Sequence, residues 1–243
     1  MQVFITSSPF VPDADGPIFS NDNGFVDNLR EVLPPFPKCL FVASDPERHD
    51  LTCQWGTDMI TAMAGQGIYS GGFAVLDGSN AEMAGQLVAE SDFICLAGGH
   101  VPTQNAFFQE IGLRELLQDW DGTVMGISAG SMNTADVVYI QPEEPGESDL
   151  DFVRFAPGLG LTEVNVLPHY QKVKDTILDG QRLFEDITYA DSYGHEFFAL
   201  VDGSYFYQDE EKLLLCGEGY RLKDGIMERL TWPGEILDMA ELG

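Results

Sequence analysis

TVMGISAGSMNTADVV occupies residues 123–138. It opens on a short apolar run, Thr123 to Met125, continues through Gly126-Ile127-Ser128-Ala129-Gly130, and passes into a helix-compatible segment. A serine between two glycines where a buried strand ends reads as a strand-to-helix corner. Two glycines let a tight turn close without side-chain clashes, and the serine then stands exposed on a strained bend. The helix that follows aims its first amides at the serine, and the N–H of Ala129 is placed to stabilise an oxyanion. As a bare pattern, G-x-S-x-G also fits an ordinary glycine-rich turn with a capping serine. The strand before it and the helix after it favour the elbow.

Outward from this corner, the N-terminal half repeats one pattern: a short apolar run followed by turn formers. VFIT (3–6) leads into SSPF, CLFVAS (39–44) into DPE, FAVLDG (73–78) follows two glycines, and DFICLAGG (92–99) ends in two. Runs this short and this apolar predict central strands buried on both faces. NGFVDNLREVL (23–33) and TQNAFFQEIGLRELLQDW (103–120) place apolar residues at helical spacing. The alternation predicts an α/β fold, a mostly parallel sheet flanked by helices. After residue 140 the pattern changes. QPEEPGESDLD (141–151) predicts an exposed acidic loop, and a helical segment is expected around VKDTILDGQRLFEDIT. The remaining runs, broken by Asp202-Gly203 and Asp224-Gly225, predict antiparallel strands or a hairpin near the C-terminus at one sheet edge. No linker, repeat or low-complexity tract interrupts the chain, so residues 1–243 are expected to form one α/β domain.

Composition narrows the function classes. Twelve Lys plus Arg face 40 Asp plus Glu, a formal net charge of −28. Such a field repels nucleic acid and anionic membrane, so neither is an expected partner. The excess acid reads chiefly as a solvated surface. The four cysteines, Cys39, Cys53, Cys95 and Cys216, form no CxxC pair, and Cys39 and Cys95 sit in or beside apolar runs as free thiols. No metal site is expected. The N-terminus lacks a basic region with a long apolar stretch, and no run reaches membrane-spanning length, so a cytoplasmic location is expected.

An elbow serine needs a base, and the chain offers four histidines. His49 reads as a solvated helix start. His195 precedes a strand-like run and so falls at the edge away from Ser128. His169 closes the run NVLPHY and falls at a strand end, which favours it. Asp202, closing FALVD, falls on the same rim and could fix the imidazole tautomer, although Asp-Gly is also a common hairpin turn pair. Gly98 and Gly99, after the strand at 92–97, allow a second backbone donor to approach, or form a simple turn.

LAGGH (96–100), GISAGS (126–131), NVLPHY (165–170) and LVDGSYF (200–206), in that order, resemble the serine peptidase family that contains peptidase E (aspartyl dipeptidase) and cyanophycinase. The resemblance implies a flavodoxin-like sheet of the class I glutamine amidotransferase type. It implies Ser128 as nucleophile, His169 as general base, Asp202 as the acid, and the amides of Gly99 and Ala129 as oxyanion hole. Peptidase E carries a glutamate at the acid position, one methylene longer; Glu143 and Glu144 stand as fallback acids. The family's aspartyl preference rests on an arginine between the catalytic His and the acid. Here that segment reads TILDGQRLFED (176–186): Arg182 matches a second family arginine, and Asp179 occupies the specificity position. Arg182 and His100 are the expected substrate-binding side chains.

Two rivals stand beside this reading. An α/β-hydrolase esterase would need His195 as base with Asp175 or Asp191 as acid, since its order is Ser, acid, His. An amidotransferase-like module could instead bind a small ligand without catalysis. The favoured expectation is a serine hydrolase cleaving a small peptide or amide bond, needing no metal or organic cofactor, with a homo-oligomer left open.

Overall fold

In the computed structural model, which describes residues 1–149 and 151–242, the five expected runs form the parallel heart of an eight-stranded sheet. They are β1 (Gln2–Thr6), β2 (Lys38–Val42), β3 (Gly72–Leu76), β4 (Phe93–Leu96) and β5 (Thr123–Ile127). They lie in the spatial order β1-β5-β4-β2-β3, every pair parallel. Alternate residues serve opposite faces, and both faces are apolar. Ile5, Leu40, Val42, Ile94, Leu96 and Val124 belong to one cluster; Phe4, Cys39, Phe41, Phe93, Cys95 and Met125 belong to the other. Helices α1 (Phe25–Val32) and α2 (His49–Gly65) cover the second face through Phe25, Leu29, Met59 and Met63. Helices α3 (Ala84–Ala89), α4 (Val101–Glu110) and α5 (Leu113–Leu117) cover the first through Val88, Phe107, Phe108 and Leu117. Helices on both faces are what shield a parallel sheet from water.

The expected helix over 103–120 is two helices. The backbone turns left-handed at Gly112 (φ 63°) between α4 and α5, a conformation glycine reaches without steric cost. After Ser128 the helix is a single turn, α6 (Ala129–Met132), and the chain returns at once to strand in β6 (Val137–Tyr139), which pairs antiparallel with β7 (Phe155–Pro157). Within the expected 141–151 loop, Glu143 to Gly146 are exposed while Gln141 and Ser148 are buried; Leu150 lies outside the described residues.

The second half departs most from expectation. β8 (Val166–Leu167) leads into a one-turn helix, α7 (Tyr170–Val173). In place of a long helix, a small hairpin follows, β9 (Ile177–Leu178) against β10 (Gln181–Arg182), turning at Asp179-Gly180. Only Leu183–Thr188 then continues as helix, of the wide π type, before the short α8 (Tyr189–Asp191). The remaining strands are β11 (Glu196–Leu200), β12 (Tyr205–Gln208), β13 (Leu213–Cys216), β14 (Gly219–Lys223), β15 (Ile226–Thr231) and β16 (Ile236–Asp238). They divide between two sheets rather than one edge. β12, β13 and β16 extend the main sheet antiparallel beyond β1, while β15-β14-β11-β8 form a separate four-stranded sheet over Leu167, Phe184, Ile187, Phe197 and Leu222. Asp224-Gly225 is the expected hairpin turn between β14 and β15. Asp202-Gly203 is not a hairpin: it carries the chain from the small sheet at β11 to the main sheet at β12. Among the described residues, no helix is long and apolar enough to cross a membrane.

Candidate active site

The register of the main sheet decides what surrounds Ser128. Thr6 pairs with Ile127, and Leu96 with Gly126, so Ser7 and Gly98 flank the residue that follows β5. The Ser128 amide donates to the carbonyls of Thr6 and Ser7, both at 3.1 Å, and Ser131 Oγ donates to Thr6 O at 2.7 Å. These bonds tie the corner to β1 and hold Ser128 at φ 52°, ψ −112°, where a residue with a Cβ is strained. The two glycines are needed for closeness. A Cβ on Gly126 would come within 2.6 Å of the Ser131 backbone, and one on Gly130 would meet the Leu96 carbonyl and lie 2.8 Å from Ala97 O.

His169 and Asp202 arrive from the small sheet. β8 and β11 run parallel with Leu167 beside Ala199, so the residues beyond their ends emerge together. His169 sits at φ 57° at the start of α7, and its amide donates to Ser7 Oγ at 2.7 Å. Ser7 Oγ in turn donates to Asp202 Oδ1 at 2.8 Å. His169 Nδ1 lies 2.6 Å from Asp202 Oδ1, and His169 Nε2 lies 2.9 Å from Ser128 Oγ. The two sheets thus bring hydroxyl, imidazole and carboxylate into one hydrogen-bonded line, with the imidazole part-exposed and the carboxylate 4% exposed.

Burial alone would push the Asp202 carboxyl up. Hydrogen bonds from His169, Lys172 and Ser7, with the charge of His169, outweigh it and hold the group well below the usual carboxylate range. Asp202 is therefore an anion at neutral pH. Such an anion favours the His169 tautomer with its proton on Nδ1, leaving Nε2 free to accept from Ser128.

The turn after β4 lies against this line. A Cβ on Gly98 would be 3.4 Å from Ser128 Cβ, and one on Gly99 would run into Ser44. The amides of Gly99 and Ala129 have no protein acceptor among the described residues. They are backbone donors beside a hydroxyl that shares its proton with an imidazole, which is the arrangement acyl transfer uses.

The other sequence candidates fall elsewhere. His100 is tied by Thr103 Oγ1 (2.8 Å) and Glu147 Oε1 (2.9 Å) and lines a neighbouring cleft with Arg48 and Glu144, not the cavity at Ser128. Arg182 is not at the site: it is 61% exposed on β10 and paired with Asp186 at 2.6 Å. Asp179 accepts from Gly146 N and Ser148 Oγ and so secures the acidic loop. His195, the rival base, precedes β11 at the far end from Asp202 and stacks on Phe155 at 4.3 Å; Asp191, a rival acid, accepts from Tyr139 and Arg154. His49 heads α2 with Nδ1 2.6 Å from Asp77 and Nε2 3.5 Å from Cys53 Sγ. Glu143 and Glu144 donate their amides to Glu147, and the acid on His169 is Asp202.

Two residues escape a reading of the sequence. Ser7 is a buried hydroxyl at the end of β1, and nothing in SSPF singles it out. Lys172 holds Asp202 Oδ2 at 2.7 Å. Its spacing three residues after His169, on one helical turn, was the available signal. Among the described residues, His100, Glu144 and Glu147 hold possible metal-ligand atoms within 4.8 Å of one another. The imidazole nitrogens and the Glu147 oxygens are already bonded within the protein.

No family model and no curated protein matches this chain. A solved structure does: the 1.5 Å crystal structure described as a "Putative Peptidase E Protein" from Listeria monocytogenes EGD-e. It superposes with a TM-score of 0.58 over 95% of this chain and 98% of that one, at 17% sequence identity. The chain therefore has a peptidase E-like fold.

Proposed function

We propose that this chain is a serine hydrolase of the peptidase E type that cleaves a small peptide or dipeptide amide bond through an acyl-enzyme on Ser128. The observation that carries the reading is the unbroken line from Ser128 Oγ through His169 to Asp202, with contacts of 2.9 and 2.6 Å. The peptidase-like fold supports it.

In this mechanism His169 Nε2 takes the hydroxyl proton as Oγ bonds to the carbonyl carbon. The carbonyl oxygen becomes an oxyanion held by the amides of Gly99 and Ala129. Collapse re-forms the C=O, breaks the C–N bond, and His169 gives its proton to the departing amine. Water then loses a proton to His169 and attacks the acyl ester; collapse releases the carboxylic acid and returns the proton to Ser128. Asp202 keeps its charge throughout and stabilises the imidazolium.

A fluorophosphonate probe tests the assignment. Labelling of the wild type, lost in Ser128→Ala and His169→Ala and kept in His195→Ala, is the expected result. Labelling that needs His195 would favour the esterase, and no labelling at all would favour a ligand-binding module.

A further inference from the structure

A cavity of about 760 Å³ opens directly onto Ser128 and His169. Its walls are apolar: Phe10 and Pro17 from the segment after β1, Phe41 from β2, Trp55 and Met59 from α2, and Ile127 beside the serine. Phe41 and Met59 are 2% and 0% exposed and belong to the second-face core, so they form a fixed floor. The wall carrying Phe10 is also held. Val11 N donates to Ile18 O at 2.8 Å, Ser20 N to Pro9 O at 2.8 Å, and the Phe10 and Phe19 rings pack at 5.2 Å. The cavity is therefore preformed, with little ordering cost on binding.

Charge narrows the occupant further. No Lys or Arg lines the cavity, and Asp58 is its one charged side chain, with Oδ1 accepting from Gln54 Nε2 at 2.9 Å. A carboxylate entering here would lose water, gain no cation, and meet a like charge. Trp55, Asp58 and Met59 share one helical face, so the acid stands beside the apolar floor without interrupting it.

Strand order sets which part of a substrate enters. β4, β2 and α2 lie on one side of β5, whereas Asp202 and Ser7 lie on the β1 side. A leaving amine protonated by His169 departs on the base's side. The acyl residue, whose carbonyl Ser128 attacks, would then extend the other way, over Phe41, Trp55 and Met59, with Phe10 and Pro17 closing the cavity from the segment after β1.

We infer that this cavity is the acyl-side specificity pocket and that it takes a bulky apolar or aromatic side chain in preference to an acidic one. The inference rests on the hydrolase reading for the word "acyl", and its test separates the two. The decisive experiment compares dipeptides X-Leu with X as Phe, Leu, Ala, Asp and Arg, varying only the acyl residue. Wild-type kcat/KM for Phe-Leu and Leu-Leu should exceed that for Asp-Leu by roughly tenfold or more. Trp55→Ala, at a 38% exposed position outside the core clusters, should reduce the Phe-Leu value more than the Ala-Leu value. The same dipeptides titrated calorimetrically against Ser128→Ala should bind in the same order. Asp-Leu or Arg-Leu ranking first, or a flat order unaffected by Trp55→Ala, would overturn the assignment. If the wild type cleaves none of them and takes no fluorophosphonate, yet the apolar order of binding persists, the hydrolase reading fails and the pocket assignment stands.

Discussion

Lys172 Nζ lies 2.7 Å from Asp202 Oδ2, the carboxylate oxygen that His169 does not use. The acid is thus held at both ends, with Ser7 and His169 on Oδ1 and a lysine on Oδ2. Asp202 reaches the imidazole from the β11-to-β12 crossover between the two sheets.

Lys172→Met tests how much the outer oxygen matters. The lysine is 62% exposed, so solvent screens its attraction. The expected loss in kcat/KM is about 2- to 5-fold, the range of an exposed ion pair, and it should shrink in high salt. A loss of several orders of magnitude would mean that Lys172 touches substrate.

The three groups in line should behave as a unit. Ser128→Ala and His169→Ala should each lower dipeptide turnover by roughly four to six orders of magnitude, and Asp202→Asn by about four. Combining Ser128→Ala with Asp202→Asn should cost no more than Ser128→Ala alone. Circular dichroism should show the fold retained. Additive losses would mean that the carboxylate acts apart from the serine.

Asp202 also ties stability to pH. Its carboxyl in the folded protein is held below the ordinary value of 3.8, so the folded form binds its proton later than the unfolded chain does. The resulting stabilisation is fully present above 3.8 and fades as pH falls through the lower, folded-state value. Acid also relieves repulsion among the chain's 40 carboxylates, so only a comparison is diagnostic. The gap in urea midpoint between wild type and Asp202→Asn should narrow as the pH falls below about 4.

Gly130→Ala should destabilise the corner more than its size suggests. The added Cβ would press on the Leu96 carbonyl, lying 2.7 Å from Leu96 C and 2.8 Å from Ala97 O, all backbone that cannot step aside as a side chain can. The expected cost is about 1–3 kcal/mol in chemical denaturation. Gly85→Ala, whose Cβ would meet only Leu116 Cδ2 at 3.5 Å, is the control and should be near neutral.

Thiol labelling should report burial directly. Cys39, Cys95 and Cys216 are each no more than 2% exposed, and burial with the nearby charge of Asp92 pushes the Cys39 thiol up to about 12. Only Cys53, half-buried on α2 beside His49, is accessible. Native protein should release one equivalent from Ellman's reagent, and denatured protein four.

Local physics made much of the molecule legible in its sequence. Both faces of a covered parallel strand are apolar, so β1 to β5 announce themselves as short hydrophobic runs, and their trailing glycines and serines mark the rim. Ser128 could be read because a tight strand-to-helix bend admits little besides glycine at 126 and 130. His169 and Asp202 could be proposed because each closes a run. The hairpin at 177–182 could not be separated from a helix, since its apolar residues fit both periods over so short a span. Nor could the division of the C-terminal strands between two sheets, because register depends on which distant strand is met. That division puts His169 and Asp202 on one sheet and Ser128 on another. Local sequence could therefore nominate the three side chains, but only the packing of the sheets, locked by Ser7, could align their atoms. It likewise gathered Phe10, Phe41, Trp55, Met59 and Ile127 from four separate segments around one cavity. A pocket is made of long-range contacts, and no short stretch of the chain encodes those by itself.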